Sequence, residues 1–349
     1  MKQFILISLA LITGLSSCNT NTNITGVRAK GAAYEIAVIV DKNLWDNTVG
    51  DIIKAEITAP LPYLLQEESS MRYTYLTPDY FERSGCYVRN LLLVNINKSL
   101  FTKVAVQKSL NDYAIGQAVI RINAPDVQAF ENYLTENKGE LLKFYDKEEM
   151  RRGKEALEKK YSYFVMDKVM QKFGISLSAP SDIVKFKESE DGLWFSNDAR
   201  KGRTDILVYS FPFTDKNTFS LEYLVAKRDS IAKVMVPGSF DGSYMSTEKR
   251  VVDYYGTMLN GKYCGVLKGL WRMEGGDMMG GPFVSYARID EVNNRVIVTE
   301  GFVYEPRVDK KQYIRRIEAA LHTLRMPNEL DPGIESEQKA IATDVSTKD

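Results

Sequence analysis

The densest run of side chains able to do chemistry is residues 269–288, GLWRMEGGDMMGGPFVSYAR, where four glycines lie around Glu274 and Asp277 between Trp271 and Pro282. Glycine at that density allows backbone angles closed to other residues and holds neighbouring side chains out toward solvent. Trp271, Arg272, Glu274, Asp277, Phe283 and Tyr286 are therefore candidate contacts for a ligand or a protein partner, although the same pattern suits a tight connection between two strands. A phosphate-cradling loop is a poor reading, because no Lys-Ser/Thr closes the segment and the residues after it read as strand rather than helix. Metal chemistry has little to draw on. The single histidine, His322, falls on a helix expected over 309–325, beside Ile314, Ile317 and Leu321. Carboxylates remain: Glu274 with Asp277, or Glu67 with Glu68, could offer oxygens to Ca²⁺, but neither pair has a known loop spacing. One histidine and no G-x-S-x-G leave no recognisable nucleophilic triad. A two-carboxylate hydrolase stays open, since such pairs are set by the fold and not by spacing. No cofactor is expected.

Three cysteines divide into one and two. Cys18 closes Leu15-Ser16-Ser17-Cys18 after the apolar run FILISLALIT at residues 4–13, which is too short to span a bilayer. The arrangement resembles the lipobox of bacterial lipoproteins. That resemblance implies removal of residues 1–17, a diacylglycerol thioether on Cys18 and an amide-linked acyl chain such as palmitate. Several acyl chains make the anchor effectively permanent. Residues 18–33, with Asn19-Thr20-Asn21-Thr22-Asn23 and no Asp or Glu before Glu35, read as a flexible uncharged tether. In Bacteroidota lipoproteins an acidic stretch there goes with surface display; its absence implies the periplasmic face of the outer membrane. Cys86 and Cys264 are then an even pair in a compartment that tolerates disulfides, either bridged or buried as free thiols. A bridge would close about 178 residues, for which loop entropy gives roughly 5 kcal/mol.

Without residues 1–17 the chain has 332 residues, 45 basic and 46 acidic side chains, and no basic block. That balance argues against nucleic acid as a partner. Twenty tyrosines and fifteen phenylalanines suit strand cores and exposed recognition loops alike.

Hydrophobic periodicity gives a strand at 34–40 and a helix over 45–58 stopped by Pro60 and Pro62, then an irregular aromatic segment, 60–85. Strands at 88–97 and 114–123 come after it, with a short helix between them, then an amphipathic helix from Asp126 to about Tyr145. A long charged helix runs from Asp146 to Phe173 and is capped by Gly174. A hairpin around 190–192, a strand at 204–211 and a helix over 216–234 come next. Matched elements recur in order at offsets of about 170–185 residues, which suggests duplication. The expected fold is α+β: two pseudo-repeated βαββα halves with mainly antiparallel sheets, 34–145 and 204–326, joined by a long helix and a β-hairpin over 146–203. The acidic stretch 327–349 reads as a disordered tail.

From Tyr34 to about Leu324 the chain resembles an uncharacterised family of Bacteroidota lipoproteins, known only as a domain of unknown function. The residues that carry the resemblance are the lipobox, Arg89-Asn90 before strand 91–96, Met279-Gly280-Gly281-Pro282-Phe283-Val284-Ser285-Tyr286 and Gly301-Phe302-Val303-Tyr304. The family implies an address but no activity. The expectation is a non-catalytic, lipid-anchored protein that meets membrane lipid through acylated Cys18. It would bind an envelope protein or small ligand through loops 60–85, 237–262 and 274–282. The alternative is a carboxylate-dependent hydrolase acting on envelope glycans or peptides.

Overall fold

The computed structural model describes residues 26–330. The leader 1–17, Cys18, the tether up to residue 25 and the tail from 331 lie outside the described residues. The chain folds as α+β in two halves, each built on its own sheet.

In the first half, β1 (Glu35–Ile39) leads through two helices, α1 (Lys42–Trp45) and α2 (Thr48–Ile57), to β2 (Arg72–Leu76). The chain continues through α3 (Pro78–Tyr80), which runs into a wide turn at Phe81–Gly85, then β3 (Asn90–Ile96), β4 (Ala105–Leu110) and β5 (Ala118–Ala124). Two helices, α4 (Val127–Glu136) and α5 (Glu140–Lys159), close the half. The strand order is β2-β1-β3-β5-β4; the first three pairings are parallel and only β4 is antiparallel. β1 is covered on both faces, which is why EIAVI reads as a continuous apolar run and not an alternation. Ile36 and Val38 pack under Ile53 of α2, Phe130 of α4 and Tyr145 of α5, while Ala37 and Ile39 meet Phe81 and Leu91 on the opposite face.

The second half begins with α6 (Tyr163–Phe173), whose N-terminus is capped by buried Ser162 and whose C-cap is left-handed Gly174 (φ 65°). Next come β6 (Lys185–Glu188), β7 (Gly192–Ser196), β8 (Arg203–Pro212) and α7 (Leu221–Met235). Four long strands succeed them, β9 (Tyr244–Leu259), β10 (Lys262–Glu274), β11 (Gly280–Asp290) and β12 (Arg295–Tyr304), and then α8 (Lys311–Leu321). All seven strands pair antiparallel in the order β6-β7-β8-β12-β11-β10-β9. α7 covers one face with Leu224 and Met235, and α6 and α8 cover the other with Val169, Ile317 and Leu321. α8 lies so close to β12 that a Cβ at Gly301 would stand 1.8 Å from Ile317 Cγ2.

Several expectations need correction. Duplication fails, because the first sheet is mostly parallel and the second wholly antiparallel. Periodicity marks which residues form strands but not which edges meet. Helical crossovers allow parallel neighbours, whereas the Asn260-Gly261 turn, with φ 52° and 73°, forces β9 and β10 into a hairpin. The segment between β3 and β5 is strand β4, not a helix, and the aromatic stretch 60–85 contains β2. The helix expected over 146–173 is two helices broken at 160–162, and α5 begins earlier, behind left-handed Gly139. The 185–196 hairpin belongs to the second sheet and does not link the halves. Residues 27–30 are not loose tether: Ala29 and Lys30 donate backbone hydrogen bonds to Ile115 and Tyr87. Within the expected tail, Pro327–Glu329 forms a 3-10 turn, and Glu329 pairs with buried Arg288 at 2.5 Å. Cys86 and Cys264 are both free and lie in different halves, Cys264 buried in one core and half-buried Cys86 packed against another, so no bridge joins them. Among the described residues no helix is long and apolar enough to cross a membrane.

Candidate functional site

The glycine-rich segment forms the turn between β10 and β11, and the six residues singled out there do not converge. Trp271 is buried against Phe302 and donates from its indole nitrogen to the Val303 carbonyl. Phe283 lies beneath the Arg228 guanidinium, 3.9 Å from its ring centre. Tyr286 points to the other face of the sheet, where its hydroxyl is 2.8 Å from both Glu318 and His322. Asp277 accepts from the Ser243 hydroxyl and the Ser239 amide; these bonds hold its carboxyl below the usual range and fix the 238–243 turn. Arg272 and Glu274 pair with each other at 2.6 Å beside a crevice of about 670 Å³ on the α7 side. The segment is a braced hairpin tip, and of the six residues Arg272 and Glu274 line the crevice.

Two buried networks stabilise the second half. Arg228 and Glu300, both fully buried, form a two-pronged pair at 2.8 and 2.9 Å, with Thr247 accepting from the third guanidinium nitrogen. Burial raises the Glu300 carboxyl, and Arg228 opposes that shift. On the opposite face Lys268 pairs with Glu318 at 2.6 Å. Burial pushes the Glu318 carboxyl up, but Lys268, the Tyr286 hydroxyl and His322 together outweigh it and the net shift is down; burial lowers the His322 imidazole. The carboxylate of Glu68 accepts the Lys310 and Lys311 amides at 2.7 and 2.9 Å, so it holds the N-terminus of α8 and not a cation. Among the described residues no three His, Cys, Asp or Glu side chains are placed to hold a metal ion.

A broad recess lies at the seam between the halves, a cleft of about 1080 Å³. α5 supplies one wall and the start of α8 the other, with Arg28 and Tyr34 from the chain's entry and Pro180 and Ser181 from the loop after α6. The walls are charged unevenly: nine lining residues are Arg or Lys and three are Asp or Glu. At the back, Glu149 is clamped by Arg89 and Arg152, each at 2.7 Å, and Asn90 donates to Glu149 while accepting from Arg152. Arg89 Nε and Arg152 Nε are buried and have no hydrogen-bond partner among the described residues. Burial, reinforced by Arg89 and opposed by Glu149, lowers the Arg152 guanidinium from its ordinary value. From α8, Arg315 reaches into the first half, donating to the Ser70 carbonyl and to Asp146 and lying 3.9 Å over the Tyr34 ring. Burial and the neighbouring Arg315 charge lower the Lys311 ammonium as well.

Comparison with family models divides the chain at the break between α5 and α6. Residues 29–158 match the model of one domain of unknown function, DUF8532, and residues 162–323 match another, DUF4837. The chain carries two domains of unknown function. No curated protein matches it.

The seam cleft therefore lies where the segment matching the DUF8532 model meets the segment matching the DUF4837 model, and its walls come from both. Sequence reading missed it because its cations are scattered between Arg28 and Arg316 and are spatially adjacent only once both domains have folded. Two signals were present: Arg89-Asn90, whose side chains hold Glu149, and the basic end of α5 at Lys159-Lys160. Read by period alone, the latter looks like a solvated helix face.

Proposed function

We propose that this protein is an outer-membrane lipoprotein, anchored through Cys18 and facing the periplasm, that binds an envelope ligand or partner without catalysis in the cleft between its two domains. One observation carries the reading: the cleft of about 1080 Å³ draws its walls from both domains, as small-molecule sites at domain boundaries commonly do. Glu149 and Glu155 are both held by arginines, so no free pair of carboxylates faces the recess. The lipobox Leu15-Ser16-Ser17-Cys18 supports the address.

The hydrolase reading has one observation in its favour. In a small crevice beside the seam, burial raises the Asp146 carboxyl while Lys268 keeps Glu318 low, the divergence expected of an acid and a base. Its volume of about 50 Å³ has room for water but not for a sugar ring or a peptide bond with its flanks. Binding in the larger cleft is the better reading.

Native mass spectrometry of the protein after exposure to an extract of envelope lipids and small molecules tests it. The protein should retain a ligand, Ala156→Trp, which puts a large ring in the cleft, should lose it, and Met278→Ser at the hairpin tip should keep it. Equal retention by Ala156→Trp would contradict the binding reading, as would glycan or peptide hydrolysis abolished by Asp146→Asn.

A further inference from the structure

We propose that the group seated in the cleft is a phosphate; this rests on the binding reading above and names its ligand's chemistry. The chain as a whole balances 46 basic against 46 acidic side chains, yet the cleft concentrates nine cations against three anions. Several of those cations are uncommitted. Among the described residues Arg28, Lys159 and Lys160 make no ion pair, and all three are exposed at the rim. Lys311 gives its ammonium to the Ser69 carbonyl and not to a carboxylate. Behind them Arg89 and Arg152 are held in place by Glu149 and Asn90, each with a donor still unpartnered. Positioned guanidinium forks beside the exposed Lys159 and Lys160 ammonium groups suit a ligand with several acceptor oxygens and one or two negative charges, which describes a phosphate better than a lone carboxylate.

Position favours a phosphate on a lipid. Seven residues lie between Cys18 and Gly26, and the eight Cα steps they make reach at most about 29 Å when fully extended. Arg28, two residues further on, already lines the cleft, so an anchored molecule would keep the rim within reach of lipid headgroups. Ile115 and Ala156 add an apolar stretch beside the cations, where part of an acyl chain or glycerol backbone can lie.

The test is a calorimetric titration of the lipidated full chain in neutral detergent with inorganic phosphate, glycerol 1-phosphate, short-chain phosphatidylglycerol and short-chain phosphatidylcholine. Saturable binding of phosphatidylglycerol is expected, falling with salt and about tenfold weaker in Lys159→Glu/Lys160→Glu, which removes two charge-assisted contacts. A matched reversal far from the cleft, Lys98→Glu/Lys103→Glu, should leave it unchanged. Preference for phosphatidylglycerol over the soluble phosphates identifies a headgroup as the source, while equal binding of inorganic phosphate identifies a free phosphate; either supports the proposal. Equal loss in both double variants, or no binding of any phosphate probe, overturns it. If Ala156→Trp still abolished retention of some other envelope ligand, the binding reading would stand while the phosphate assignment fell.

Discussion

Each half buries a glutamate under arginine, and the two clusters have different fates. In the second half Arg228 and Glu300 are sealed between α7 and the sheet, with Thr247 and the Phe283 ring completing the enclosure. In the first half Glu149 is as deeply buried as Glu300, but its partners Arg89 and Arg152 keep 21% and 12% of their side-chain surface and border the seam cleft. The chemistry is the same and access is not. A charge pair with no route to solvent can only hold the fold together, whereas one whose cations face a recess can also meet a ligand.

Removing one partner of the sealed pair should have the largest effect. Arg228→Met leaves the Glu300 carboxylate buried and uncompensated, which costs about 3–5 kcal/mol; urea unfolding measures it, and a loss below about 1 kcal/mol would show that the cluster is less enclosed than the structure places it. Glu149→Gln should cost less, about 1–3 kcal/mol, because Arg89 and Arg152 can turn toward water in the cleft. Equal losses at the two sites would erase the distinction between them.

The cysteines extend the contrast between sealed and accessible groups. Burial pushes the Cys264 thiol up from 9.0 to about 12, while Cys86 is only half-buried. Iodoacetamide at pH 8 should therefore modify Cys86 in the folded protein and Cys264 only after unfolding. The folded state holds the Cys264 proton more tightly than the unfolded chain does. That contribution to stability is complete below pH 9 and is lost as pH rises toward 12. The smallest effect belongs to the hairpin tip: Met278→Ser, at a fully exposed side chain, should change stability by less than about 0.5 kcal/mol and leave ligand retention intact.

Locally determined features were legible in the sequence. Gly174 caps α6, β8 follows its apolar run, and the β6–β7 hairpin turns where Asp191-Gly192 suggested. The α+β class and the division into two halves also come from the pattern of runs. Sheet topology did not, because parallel and antiparallel neighbours can share one alternation, and the ordered offsets between halves imitated a repeat. β4 was missed because AVQKSL is largely exposed and lacks a clear apolar face. In the glycine-rich segment composition drew attention to Trp271, Phe283 and Tyr286, which the fold spends on packing two opposite faces of one sheet. The cleft depends on side chains more than 280 positions apart, Arg28 and Arg316 among them, and no local window contains it.

Hydrogen–deuterium exchange of the full chain, with and without an envelope lipid extract, addresses the central claim most directly. Binding at the seam predicts slowed exchange at residues 28–34, 152–160 and 309–316, with none at 274–282. Protection confined to the glycine-rich hairpin, or to the 60–85 segment away from the cleft, would contradict it.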